Sequence, residues 1–329
     1  MATEVMRGSL PGLDEIEAAA EVVYASMPAT PQYSWPLINE RAGAEVWVKH
    51  ENHTPVGAFK VRGGLVYMDW LRRERPEVKT VVSATRGNHG QSMAYAGAKN
   101  GIGVVIVVPF GNSREKNRAM RALGAEVVEH GEDFQAASEY CVELARERGW
   151  HRVPSYDRRL VTGVGTYALE MLRGCPALET IYVPVGMGSG ISGVIAVRDG
   201  LGLATKVVGV VSRGAPAQAL SFAAGRVVEH AAVTAIADGV ACRKPDEEAL
   251  GILVAGADRV VEVEDAAVEA AMRAYFADTH NVAEGAGAIG LAALLKDEGR
   301  GGRVVGTVLC GGNVDSDVFA RVLAGGVEA

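Results

Sequence analysis

The sequence predicts an α/β protein of mainly parallel, twisted sheet flanked by helices, and three observations carry that expectation. Short β-branched runs alternate with amphipathic stretches of helical length along the whole chain. At 329 residues the chain is too long for one small core, and fits either two lobes or one large doubly wound domain. Its 48% hydrophobic and 22% charged residues are those of a chain that buries a core, which sets aside disorder and low-complexity architectures.

The elements follow in order. Glu45–Lys49 (EVWVK), Thr80–Val82, Val104–Val108 (VVIVV) and Val127–Glu129 read as strands, being short, β-branched and bounded by polar residues. Ile181–Val185, Val207–Val211, Val260–Val263 and Val304–Leu309 repeat the pattern in the second half. Between them, His89–Asn100, Ser113–Leu123, Phe134–Arg148, Tyr167–Leu172, Ile191–Asp199, Ala266–Thr279 and Ala286–Lys296 have helical length and period. Strand–helix–strand repetition implies right-handed crossovers and parallel pairing. Pro-bearing stretches at Arg75-Pro76 and at 154–157 read as crossings between lobes.

Composition narrows the function. The net charge of −7 is spread without long single-sign blocks, which disfavours nucleic acid and anionic membranes as partners. Cys141, Cys175, Cys242 and Cys310 lie far apart with no C-x-x-C pair, so neither a disulfide framework nor a structural zinc site is expected, and a reducing cytoplasm fits. The acidic residues near the start and the lack of a long apolar run predict neither a signal peptide nor a membrane span. The segment VDSDVFARVLAGGVEA that follows the last strand and its turn is expected to hold no appended regulatory domain.

Ligands of parallel sheets bind beyond the carboxyl ends of the strands, and four segments there carry chemistry. Gly186-Met187-Gly188-Ser189-Gly190, running on to Gly193, lets backbone amides converge at a helix N-terminus, an anion site suited to phosphate. Gly188, Gly190 and Gly193 also satisfy G-x-G-x-x-G, so a dinucleotide-binding oxidoreductase is an alternative. The next strand, however, ends in Ser212 and Arg213 rather than in the carboxylate a ribose would want. In ENHTPVGAFKVRGG, residues 51–64, Lys60 follows an aromatic at a helix start, in apolar, Gly-rich company able to lower an amine's pKa. SATRGNHGQSMAYAG, residues 83–97, follows a strand and opens a helix whose amides can face a carboxylate, with Asn88 beside it. In LCGGNVD, residues 309–315, Cys310 ends the last strand.

Taken in order, with TGVGTYALEML at 162–172, ADGVACRKP at 237–245 and VAEGAGA at 282–288, these segments resemble the fold-type II pyridoxal-phosphate enzymes, in particular the threonine/serine dehydratase and serine racemase family. The resemblance covers nearly the whole chain. It implies two lobes, a large one of residues 1–76 with 158–329 and a small one of residues 77–157. It implies that Lys60 carries pyridoxal 5'-phosphate as a Schiff base and takes the α-proton, with Phe59 beside the ring. Asn88 would bond the 3'-hydroxyl, the amides of Gly186, Met187, Gly188, Ser189 and Gly190 the phosphate, and Cys310 would face the pyridine nitrogen. A neutral group there favours β-elimination over deeper carbanion chemistry. Thr85, Arg86, Asn88 and His89 would grip the substrate carboxylate.

Two departures refine the expectation. Arg86 stands where the family usually has a small residue, and a guanidinium cannot serve as the second-face base of a racemase. Ser212 and Gln218, with no carboxylate between, stand where metal-binding relatives have an acidic residue, so no metal is expected. The resemblance therefore implies a cytoplasmic dehydratase, often dimeric, acting on L-threonine, L-serine or a bulkier amino acid such as threo-3-phenylserine. Hydroxyaspartate dehydration, racemisation and β-replacement are the alternatives.

Overall fold

A computed structural model describes residues 10–234, 236–300 and 303–325. It contains two sheets. The larger is built from β1 (Gln32–Ser34), β2 (Glu45–His50), β7 (Thr180–Pro184), β8 (Lys206–Ser212), β9 (Arg259–Val263) and β10 (Val304–Leu309), in the order β1-β2-β10-β7-β8-β9. The smaller is built from β3 (Thr80–Ala84), β4 (Gly103–Val108), β5 (Glu126–Glu129) and β6 (His151–Arg152), in the order β5-β4-β3-β6. Every pairing is parallel except that of β1 with β2. The expected strands are all present. β1 and β6 are additional, three and two residues long, too short to leave a period in the sequence.

The helices are α1 (Leu13–Tyr24), α2 (Pro36–Ala42), α3 (Lys60–Glu74), α4 (Asn88–Asn100), α5 (Arg114–Ala122), α6 (Phe134–Arg148) and α7 (Arg158–Gly174). They continue as α8 (Ser189–Gly200), α9 (Ala217–Ala224), α10 (Glu247–Gly256), α11 (Asp265–Thr279), α12 (Gly285–Lys296) and α13 (Ser316–Ala324). The segment expected at Tyr167–Leu172 is the middle of α7. That helix begins earlier because Asp157 caps it, its carboxylate accepting from the Arg159 amide at 2.8 Å.

Side-chain alternation puts helices on both faces of the small sheet. Along β4, Val104, Ile106 and Val108 join a core with Val61, Leu65, Met68 and Leu71 of α3, whereas Val105 and Val107 join one with Ala137, Cys141 and Leu144 of α6. The large sheet has its own core, including Val46, Val48, Ile181, Val183, Val208, Val210 and Val308.

α3 and α7 cross in close contact. A Cβ on Gly163 would lie 2.4 Å from the Arg62 carbonyl oxygen, so backbone meets backbone there. Gly163→Ala is therefore expected to cost about 1–3 kcal/mol by overpacking, read as a lower urea midpoint at unchanged slope. A variant as stable as the parent would show that the two helices part freely.

All the chemistry-bearing loops leave the carboxyl ends of strands. The turn before Lys60 is tied to the end of β10 by Phe59 N to Cys310 O at 3.0 Å and Gly312 N to Gly57 O at 2.9 Å. Among the described residues no helix is long and apolar enough to cross a membrane.

Candidate active site

The strand-end loops surround an inner cavity lined by Phe59, Lys60, Asn88, Gly186 to Gly190, Glu284 and Cys310 among others. It continues into a more open outer space that shares Lys60, Asn88, Gly186 and Met187 and adds Thr85, Arg86 and His89. Every site residue singled out in the sequence thus borders one continuous space.

Lys60 opens α3 with its Nζ 4.9 Å from the centre of the Phe59 ring. Burial pushes its pKa below the ordinary lysine value, while Cys310 and Glu284 act in the opposite direction. The Cys310 thiol is 7% exposed and donates to the Ala286 carbonyl at 3.3 Å. Burial drives its pKa upward, so it is a neutral thiol.

The Gly-rich segment is the turn between β7 and α8. Gly188 has φ +104, a left-handed conformation that a side chain resists, and caps α8. The first helical bond runs from Ser192 N to Gly188 O, leaving the amides of Ser189, Gly190 and Ile191 without helical partners at the positive end of α8. Tyr167 donates to the Gly190 carbonyl at 3.1 Å and Gln218 donates to the Gly186 carbonyl at 2.7 Å, so the amides face the cavity from a braced loop. Gln218 braces this cradle, and Ser212 donates to Asp265 at 3.2 Å. Among the described residues no group of three His, Cys, Asp or Glu is placed to hold a metal ion.

The loop from β3 into α4 forms the opposite wall. Thr85 is buried, and its hydroxyl accepts from the Gly87 amide at 3.1 Å. His89 is buried with its Nε2 3.1 Å from the Ser83 hydroxyl. Burial, and then the charge of Lys60, pull its pKa down to about 3, so its ring is neutral. Arg86 is exposed at the mouth. Asn88 donates to Glu284 Oε1 at 2.5 Å and accepts from Asn313 at 2.9 Å.

A braced anion cradle, a desolvated amine beside an aromatic face, and a neutral thiol across the cavity suit a phosphorylated, ring-bearing aldehyde. The chain matches the model for pyridoxal-phosphate dependent enzymes over residues 26–311. It belongs to that family. Among curated members, the L-threonine ammonia-lyase of Thermotoga maritima is 32% identical over 88% of this chain and 73% of its own length. The Escherichia coli L-threonine dehydratase biosynthetic IlvA is 31% identical over 89% of this chain, which spans 57% of that longer protein. Among solved members, the processed form of threonine deaminase isoform 2 from Solanum lycopersicum superposes with a TM-score of 0.87 at 28% identity, covering 97% of this chain and 96% of its own. Maize serine racemase superposes with a TM-score of 0.88 at 27% identity, covering 95% and 97%.

Membership settles pyridoxal phosphate as the cofactor and leaves the dinucleotide reading without support. Arg213, which that reading would aim at a 2'-phosphate, is exposed and paired with Glu264.

Four residues not expected from the sequence, Glu284, Asp238, Asn313 and Lys116, border the site or bond its residues. The one local signal for Glu284 is a lone carboxylate amid the small residues of VAEGAGA. Lys116 has no local signal, because its partners come from chain-distant segments.

Proposed function

We propose that this member is a dehydratase of L-β-hydroxy amino acids, converting them by α,β-elimination to a 2-oxo acid and ammonia, with threonine and serine the first candidates. The observation that carries the reading is Lys60, a desolvated amine lining one cavity with the Gly-rich turn and the Cys310 thiol, in a chain whose curated relatives include L-threonine ammonia-lyases.

Pyridoxal phosphate, when bound, supplies the electron sink that acidifies the α-C–H bond of an attached amino acid. The residues do the rest. Lys60 would hold the cofactor through its amine, and that amine is the group placed to take the α-proton. Its lowered pKa raises the share of free base near neutral pH. The amides at the start of α8, with those of Gly186 to Gly188, would hold the phosphate. Asn88 would offer its amide to the ring hydroxyl, Phe59 would border the ring, and Cys310 would meet the ring nitrogen as a neutral thiol. The loop at Thr85, Arg86, Asn88 and His89 orients the substrate carboxylate. His89 contributes its amide at the α4 N-terminus, since its ring is neutral and engaged with Ser83. A guanidinium at position 86 offers no second-face base, which places racemisation behind elimination.

Phe134, Met187 and Cys242 line the outer space, with Cys242 Sγ 3.8 Å from Met187 Sδ. This apolar wall supports an uncharged β-substituent, the methyl of threonine or the phenyl of threo-3-phenylserine. Arg86 at the mouth supports 3-hydroxyaspartate as the second reading, since a second carboxylate wants a cation. Ammonia release from cofactor-loaded protein, screened over L-serine, L-threonine, threo-3-phenylserine and threo-3-hydroxyaspartate, decides. Consumption of none of them ends the dehydratase reading. Arg86→Ala is expected to lower kcat/KM for hydroxyaspartate by about 10-fold or more, the value of one charge-assisted contact, and threonine far less. Equal losses would remove that role.

We also propose a division into lobes of residues 1–76 with 158–329 and 77–157. The two separate sheets support it, with α3 reaching across to pack beneath the smaller one. A cytoplasmic homodimer completes the reading. Four free, buried cysteines fit a reducing compartment, and exposed Leu37 and Phe276, on the contacting helices α2 and α11, fit a self-association face.

A further inference from the structure

Lys116 is a buried cation at the cavity with two carboxylates for company. Its side chain is 7% exposed, and its Nζ lies 2.9 Å from Asp238 Oδ2 and 3.3 Å from Glu284 Oε2. The three groups come from different parts of the fold. Lys116 is on α5, beside the small sheet. Asp238 begins the short turn Asp238–Val240, and Glu284 caps α12, which packs on β7 and β10. The same end of α5 is fastened to the start of α13 by Ser113 to Asp315 at 2.5 Å and by the Ser316 amide to Glu115 at 3.1 Å. Lys116 thus reaches Glu284 only while these two parts of the molecule are together.

Glu284 is 2% exposed. Its Oε1 accepts from Asn88, and its Oε2 accepts no hydrogen bond among the described residues and lies 3.3 Å from Lys116 Nζ. Asn88 is held at its other end by Asn313, which also donates to the Val56 carbonyl at 2.8 Å. The orientation of the Asn88 amide therefore depends on a charge-assisted bond to a buried carboxylate. The neighbouring loop leans on the same lysine, since a Cβ on Gly87 would fall 2.4 Å from Lys116 Cδ.

We propose that Lys116 is a positioning residue that holds Glu284 as a carboxylate and thereby sets the hydrogen bond Asn88 offers to the cofactor ring. This rests on the reading that Asn88 meets the ring hydroxyl.

The charged and titratable groups facing Glu284 are Lys116 of α5, Asp238 of the short turn, Lys60 of α3 and Cys310 at the end of β10. Burial raises the Glu284 carboxyl above the ordinary carboxylate range, Lys116 opposes this and Asp238 adds to it, and the net direction stays upward. With Lys116 gone, or withdrawn with α5, Glu284 takes one proton from solvent and Asn88 loses its charged acceptor. With Lys116 in place, that proton returns to solvent.

The test is the pH titration of the visible absorbance of bound cofactor in the holoenzyme, for wild type, K116M, K116R, E284Q and K116M/E284Q. K116M is expected to move the midpoint by a measurable fraction of the about 1–3 units that an opposite charge commands over the carboxyl directly beside it, since the cofactor lies beyond Glu284 and Asn88. K116R is expected to restore most of it, and K116M to add nothing in the E284Q background. A K116M holoenzyme that titrates like wild type, or a shift of equal size in the E284Q background, overturns the proposal. If K116M does not fold, E284Q alone decides, because an unmoved midpoint there is equally fatal. Loss of the band in Lys60→Ala tests the cofactor assignment separately, so failure of the coupling leaves that assignment standing.

Discussion

Replacing Lys60 with alanine is expected to lower ammonia release by at least about 10⁴-fold, the upper range for one positioned proton-transfer group, and to abolish the visible band of covalently held cofactor. The fold should survive. The turn that presents Lys60 is held by backbone bonds from Phe59 to Cys310 and from Gly312 to Gly57, and the α3 core contacts come from Val61, Leu65, Met68 and Leu71. None of these uses the lysine side chain. Lys60→Arg is a sharper control, since it keeps the length and charge but presents a guanidinium that stays protonated and cannot take the α-proton. Far-UV dichroism and the urea midpoint report the fold, and absorbance reports the cofactor. Retention of more than about 1% of the parental rate in Lys60→Ala would move the base role to another residue.

The second large effect is expected at Arg62, two residues along the same helix. Its side chain is 0% exposed, and its guanidinium meets Glu51 at 2.7 and 3.0 Å and Glu170 at 2.6 and 3.1 Å. It also donates to Thr166 at 3.0 Å and Thr30 at 3.2 Å. Lys49, 2.5 Å from Glu170, supplies the second cation, so two positive and two negative groups balance in a nearly dry site. Arg62→Ala strands Glu51 and Glu170 with a single lysine, and is expected to cost about 3–5 kcal/mol, the usual result of removing one partner from a buried pair. Lysine should rescue poorly, because one ammonium cannot meet two carboxylates in forked geometry. Denaturant unfolding measures both, and a loss below about 1 kcal/mol in Arg62→Ala would mean that water enters the cluster and screens it. The cluster ties the start of α3 to α7, so cofactor affinity is expected to fall with stability in this variant.

These two residues mark the limit of what a sequence shows. Lys60 was legible because its neighbours are local: a turn, an aromatic and a helix start within a few positions. Gly186 to Gly190, Asn88 and Cys310 were legible for the same reason, each lying where a strand ends and the chain turns into a helix or loop. Arg62 and Lys116 are, on local reading, ordinary cations on helices. Their burial is set by Glu170, 108 residues beyond Arg62, and Asp238, 122 residues beyond Lys116. Gln218 illustrates a subtler limit. Its position in the sequence is notable for a carboxylate it lacks, whereas in the fold its side chain donates to the Gly186 carbonyl and braces the Gly-rich turn. β1 and β6 escaped because strands of three and two residues carry no readable alternation.

By itself, then, the sequence determined the α/β class, the parallel sheets, the loops that face a ligand and, through their order, the family and its cofactor. Those properties are written in backbone periodicity and in which amides a short segment leaves free, and both are settled within about ten residues. The tertiary structure decided which charges are buried, that α3 packs beneath the small sheet, and that a lysine from α5 stands against Glu284 beside Asn88. Desolvation and pairing depend on which distant segments exclude water from a side chain, and no local pattern carries that information.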